Sequence, residues 1–386
     1  MTTSTRPQNA LARRPVTALT VAALALGGAL AGGGTATAAP QTAAPQKAAP
    51  KPAPAKPATP AKPAAPQAGD LLDVTLDQLR PTQPTVGFDQ IYYKLGRYSS
   101  TKDEANGNFN KRFDDWCETN GQEKAASVQP NAKISDASSF TCTVPVGKET
   151  AETRAAMKTV VVGPGRTLYL TDGHHSLTSF LETPGGGPKT HIRLRVTANL
   201  SNLSTTAFWK TMQERKWVRL RDENNRPITV QQLPSRLGLA RFHDDRYRSL
   251  VYFTRDIGYQ PPADAAEFLE FQWGTWLRDR VNLASYDLTS TDSYLAAIRA
   301  ASEAMSATPG DTVIADGRTA DELGRMAQWN DGKKATGGEF GKLGTPVTEA
   351  KPGKLAYALD YRAHLPVKPG KPCKTTKPST PKPGQR

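Results

Sequence analysis

The stretch Lys158–Leu181, KTVVVGPGRTLYLTDGHHSLTSFL, decides the fold. Lys158 to Val162 is a run dominated by β-branched residues, the chemistry of a strand. Gly163-Pro164-Gly165-Arg166 is turn chemistry, because proline presets one backbone angle and glycine admits positive φ. Thr167 to Leu170 returns as a second strand, so the segment reads as a β-hairpin. Thr171-Asp172-Gly173 ends that strand, and His174 to Leu181 reads as a helix. The chain therefore reverses at Asp172-Gly173 and opens a helix there. Free backbone N–H groups and the helix dipole favour an anion at such a point. Gly173 lets the backbone approach a phosphate closely.

Outward from this centre, Ile192, Leu194 and Val196 alternate with Arg193, Arg195 and Thr197, the pattern of a half-buried strand. Leu71-Leu72-Asp73-Val74 reads as a short strand. It leads to Leu79-Arg80-Pro81-Thr82-Gln83, where proline is expected to break any regular element. Phe88 to Leu95 reads as a short helix. Residues 96–157 are rich in Ser, Asn, Lys and Asp and read as an inserted, poorly structured excursion. Beyond Asn199 the periodicity is helical, over Thr205–Trp217, Asp244–Ile257, Ala265–Arg280 and Asp292–Met305. The expected fold class is α+β: a small mixed sheet with helices over 70–200, then a mainly helical extension over 201–350.

The chemistry-bearing residues cluster around the reversal. His174 and His175 can move protons near neutral pH or bind a metal. Asp172 can orient an imidazole or bind a cation. The plainer alternative makes Asp172 an N-cap worth about 1 kcal/mol, with His174 covering the first turn and His175 in the core. Adjacent helical positions diverge by about 100°, so these three alone form no good metal triad. A divalent metal ion would need further ligands such as Asp244, Asp245 or Glu270. Arg80 and Gln83 can reach a ligand beside the turn or fix a loop. Arg248 can clamp phosphate or form a plain salt bridge. Glu270 can act as general base or cation ligand, or be a solvated helix carboxylate. Trp273 and Trp276 can stack on a base or fill a core.

The order LRPTQ (79–83), VVVGPGRTLYLTDGHHSLTSF (160–180), FWKTMQERKWVRL (208–220), DDRYRSL (244–250) and EFQWGTWLR (270–278) resembles the ParB/sulfiredoxin superfamily. More narrowly it resembles the ParB-like nuclease group, over about 72–280 without the 96–157 excursion. The resemblance implies a small mixed sheet with helices and a nucleotide or phosphate site at the helix start. Sulfiredoxin has Gly-Gly-Cys-His-Arg where this chain has Asp172-Gly173-His174-His175-Ser176, so sulfinic acid reduction is not expected. The Gly-Glu-Arg-Arg motif of ParB is missing, and a CTP clamp is not expected. The resulting expectation is a metal-assisted phosphodiesterase acting on nucleotide or nucleic-acid phosphate. Its catalytic set is Asp172, His174, His175 and Glu270. Its phosphate-binding set is Arg80, Gln83, Gly173 and Arg248. The alternative is a non-catalytic exported binding protein.

The ends of the chain speak to location. Arg6, Arg13 and Arg14 precede a charge-free apolar run, Val16–Leu30, and the small residues Ala36-Thr37-Ala38. That is the pattern of a cleaved secretory signal over 1–38. The run is shorter than the about 20 residues of a membrane span, so no anchor is expected to remain. Residues 39–69 are nearly all Ala, Pro, Lys, Gln and Thr, a semi-rigid spacer. The net charge of +14 belongs to the ends, because residues 70–350 are nearly neutral. The basic tail, 351–386, suits a cell-wall polyanion, anionic lipid or extracellular nucleic acid, or merely solubilises. A secreted or wall-associated chain permits disulfides. Cys117–Cys142 is the expected bridge, worth about 3 kcal/mol, leaving Cys373 over.

Overall fold

A computed structural model describes residues 65–365 apart from 263, 264 and 266. The expected signal segment, most of the spacer, and the tail from residue 366 with Cys373 lie outside the described residues. The chain opens with β1 (Leu71–Thr75), β2 (Leu79–Pro81), β3 (Thr85–Val86) and α1 (Phe88–Tyr98). Next come α2 (Lys102–Ala105), α3 (Lys111–Thr119), β4 (Ala125–Val128), β5 (Phe140–Cys142) and α4 (Ala151–Ala155). The central unit is β6 (Thr159–Val162), β7 (Leu168–Leu170), α5 (His174–Glu182) and β8 (His191–Asn199). Then follow α6 (Thr205–Glu214), β9 (His243–Asp244), α7 (Arg246–Thr254), α8 (Leu269–Leu277) and α9 (Thr291–Ala307). The last elements are β10 (Val313–Ala315), β11 (Arg318–Thr319), α10 (Gly338–Leu343) and α11 (Lys354–Ala363).

The hairpin forms as its turn chemistry dictates. β6 pairs antiparallel with β7, Val160 opposite Leu170 and Val162 opposite Leu168, and Gly165 takes φ 65° in the turn. β8 lies parallel to β6 on the other side, and β1 closes that edge antiparallel to β8. The five-stranded order is β1-β8-β6-β7-β2. The sheet is mixed, and the α+β expectation holds. Pro81 does not break the chain into a loop. It sits in β2, paired parallel to β7 at the other edge of the sheet, where a residue without an N–H is tolerated.

Two hydrophobic cores meet at α1. Ile91, Leu95 and Tyr98 join the sheet core with Leu177 and Phe180 of α5. Tyr92 and Tyr93 join the helical core built by α7, α8 and α9.

Two segments are more ordered than their composition suggests. Within 96–157, α3 buries Phe113 and Trp116 against Phe140 of β5, with ring centroids 5.0 and 4.9 Å apart. The Trp116 indole N–H donates to the His191 carbonyl of β8. Cys117 and Cys142 form the expected disulfide, Cα atoms 5.7 Å apart. A few large rings anchor this segment, since each buries far more area than the polar residues around it. In the segment read as basic tail, α11 packs Leu355 and Tyr357 into the helical core. Arg362 of α11 pairs with the buried Asp89 of α1 at 2.8 Å. Among the described residues no helix is long and apolar enough to cross a membrane.

Candidate functional site

A cavity of about 260 Å³ opens where β7 turns into α5. Its floor is the turn itself, Thr171 to Ser176. Gln83, with Gln90 and Lys94 of α1, makes one wall, and Arg248, Tyr252 and Arg255 of the α7 segment another. Glu267 to Phe271, without Leu269, closes a third side. Of the residues expected from sequence, Gln83, Asp172, Gly173, His174, His175, Arg248 and Glu270 converge here. Arg80 does not. Along β2, Leu79 and Pro81 point inward and Arg80 is exposed, as strand alternation requires.

Gly173, not Asp172, caps α5. It sits at φ 102°, and no side chain caps the helix. A Cβ at Gly173 would stand 2.7 Å from the Lys158 Cγ, so glycine serves both the backbone angle and the close contact. Asp172 is half exposed and pairs with the Lys158 ammonium at 3.2 Å. No side chain thus takes up the N–H groups of the first turn of α5, which a helix start leaves without partners inside the helix.

The two histidines are buried, at 2 % and 8 % exposure. His174 Nε2 accepts the Thr82 N–H at 3.1 Å. His175 Nε2 accepts the Gly87 N–H at 3.0 Å. Both imidazoles are thus neutral, with the ring proton on Nδ1. Burial lowers the His174 pKa to about 4. Burial, then the Arg248 charge, holds His175 well below its ordinary value. A general base needs a free acceptor nitrogen, and here both are committed to backbone. The expected general-base role of His174 and His175 does not fit this geometry. They fasten the 82–87 segment to α5.

Glu270 is likewise committed. Arg248 Nη2 donates to its Oε2 at 2.6 Å, Arg255 pairs with its Oε1, and the Tyr259 hydroxyl donates to the same oxygen at 3.3 Å. Burial alone would raise its pKa, but the two guanidiniums bring it down to about 2. A carboxylate so stabilised is a poor proton acceptor at neutral pH. Arg248 is only 3 % exposed. Its Nε and Nη1 are buried and have no hydrogen-bond partner among the described residues.

Sequence reasoning missed four contributors. Arg255 lies seven residues after Arg248, a spacing that keeps one helix face. Gln90 and Lys94 are separated by one turn of α1, again on one face. Nothing local marks Glu267. Burial, reinforced by the Asp172 charge, raises its pKa to about 7.

The expected metal ligands do not come together. Among the described residues no three His, Cys, Asp or Glu side chains form a metal-binding group. Asp244 accepts the Phe88 N–H at 3.0 Å. Asp245 caps α7 and pairs with Arg278 at 2.7 Å. With Glu270 and both Nε2 atoms also taken, the donor set does not fit a divalent ion. Trp273 and Trp276 sit in the helical core, the Trp273 indole donating to the Leu323 carbonyl. They are not stacking platforms.

No curated protein matches the chain. The crystal structure of protein Atu1540 from Agrobacterium tumefaciens is similar at 21 % identity and TM-score 0.39, over 62 % of this chain and 93 % of that one. The family model described as "Putative ParB-like nuclease" matches residues 72–279, more than half of the sequence and the span from Gln83 to Phe271 that walls the cavity, and the chain belongs to this ParB-like family.

Proposed function

We propose that this protein is an exported phosphoester-handling protein whose cavity seats a phosphoryl group between Arg248 and the start of α5. The observation that carries this reading is Arg248, a buried arginine with two unpartnered donors, lining one cavity with an uncapped helix start. Leaving a buried donor unsatisfied costs about 1–3 kcal/mol. Phosphate oxygens would relieve part of that cost by accepting from the guanidinium and from the helix N–H groups. Nucleotide or nucleic-acid phosphate fits this chemistry.

The family assignment favours phosphodiester hydrolysis, and Glu267 supplies a carboxyl that changes charge near neutral pH. Water adds to phosphorus and gives its proton to the Glu267 carboxylate. The ester P–O bond breaks, and the departing oxygen takes a proton from solvent. Arg248 and the α5 N–H groups stabilise the charge that gathers on the phosphoryl oxygens.

Binding of inorganic phosphate by calorimetry, and hydrolysis of a nitrophenyl phosphodiester, test both parts. Arg248→Met is expected to weaken binding at least about tenfold, as loss of a charged hydrogen bond does. Arg248→Lys should restore part of it. Unchanged binding in a folded Arg248→Met protein overturns the site.

A second reading has the basic ends hold the protein on a cell-wall polyanion, favoured by the excess of positive charge beyond residue 350. Retention on isolated wall material should fall when residues 366–386 are removed and when salt is raised. The mass of the protein recovered outside the cell tests cleavage after Ala38.

A further inference from the structure

A second cavity, of about 440 Å³, opens where α1 meets the start of α11. It shares no lining residue with the cavity at the β7–α5 turn. Its volume suits a small organic molecule and is generous for an inorganic ion. Tyr93 and Tyr357, with ring centroids 6.4 Å apart, join Leu343 and Pro352 as its apolar wall. Five cationic side chains and two carboxylates complete the lining. Both carboxylates are already matched, Asp103 by Arg97 at 2.7 Å and Glu339 by Lys342 at 2.9 Å. Lys102, Lys351 and Lys354 are left without a carboxylate partner among the described residues. Lys102 Nζ donates to the Thr348 carbonyl at 3.1 Å, and Lys354 Nζ lies 5.9 Å from the centroid of the Tyr252 ring. Lys351 is exposed. By sequence Lys351 and Lys354 count as basic tail, whereas α11 and the turn before it bring them to this cavity.

We propose that this cavity is a second ligand site, for a small organic anion with a flat apolar body, an aromatic carboxylate. The tyrosines, Leu343 and Pro352 take the body, which gains by leaving water. The carboxylate lies among Lys102, Lys351 and Lys354 and accepts charge-assisted hydrogen bonds from them. A neutral analogue forgoes that charge, and a small inorganic anion leaves the apolar wall wet. The chain's own ends, 39–69 and 366–386, carry lysines and no acidic side chain, so the same charge repels them. This site is independent of the phosphoryl-site reading.

Calorimetric titration of the full chain with naphthoate, naphthamide and acetate tests this. Naphthoate should bind with a Kd of about 1 mM or tighter, the range open to a ligand of its size. Naphthamide has the rings without the charge, and acetate has the charge without the rings. Each should bind at least about tenfold more weakly. The double variant Lys351→Met, Lys354→Met keeps the apolar stems and removes two charges. It should weaken naphthoate at least about fivefold, the size of one net hydrogen bond. Lys351→Met alone, in an exposed turn, should act in the same direction and guards against a defect at the start of α11. Arg248→Met should leave naphthoate binding unchanged. No binding of naphthoate, amide binding as tight as naphthoate, binding that survives the double variant, or binding lost in a folded Arg248→Met protein each overturns the inference. Failure of inorganic phosphate to bind bears on the other cavity alone.

Discussion

The imidazole nitrogens of His174 and His175 hold the backbone N–H groups of Thr82 and Gly87, and their protonation therefore bears on folding. His174 titrates at about 4 in the folded protein against an ordinary value of 6.5. A base whose folded pKa is depressed binds its proton more readily when unfolded. Stability is then retained above about 6.5 and lost as pH falls toward about 4, by up to about 1.4 kcal/mol per pH unit. Urea denaturation from pH 7 to pH 4 should show this loss, and His174→Gln should make that part of the profile shallower, with the slope that remains due to His175. In the same cavity, Glu267 has a raised pKa of about 7. If it accepts the proton in hydrolysis, the rate should rise with pH through about 7. Glu267→Gln should lower the rate at least about a hundredfold, the usual scale of general-base loss, with phosphate affinity little changed. An unaltered pH–rate profile in that variant would remove Glu267 from the reaction.

At the scale of elements, the hairpin and α5 were legible because Gly163-Pro164-Gly165 and Gly173 each impose a backbone geometry that few other residues accept. Gly173→Ala should destabilise the protein by about 1–3 kcal/mol, from the left-handed backbone and the Lys158 contact together. Thermal melting checks this directly. Other elements were hidden for physical reasons. α3 lies in polar sequence, and only the burial of Phe113 and Trp116 in three dimensions reveals its apolar face. Around α11, lysines and prolines mask the short run Leu355 to Ala358. Arg80 was misplaced because the strand that turns it outward is only three residues long. The residues of the cavity could be nominated from sequence, but their roles could not. Whether an imidazole or carboxylate is free depends on backbone groups and arginines brought from distant segments. Glu270 looked like a base until Arg248 and Arg255 were found on either oxygen.

For the molecule as a whole, α1 is the shared wall. One face belongs to the sheet core and the other to the helical core, while Gln90 and Lys94 reach the cavity. Removing side-chain volume from α1 should therefore be felt in both cores at once. Ile91→Ala is expected to cost about 2–5 kcal/mol. Its calorimetric trace should keep a single transition, shifted down, and two separated transitions would show that the cores unfold independently. The ion pair between Asp89 and Arg362 joins residues 273 positions apart. For a polypeptide made amino-terminus first, this contact imposes an order of events. The helix that walls the cavity stays without this ion pair until residue 362 has been added, so α1 takes its final place only near the end of synthesis.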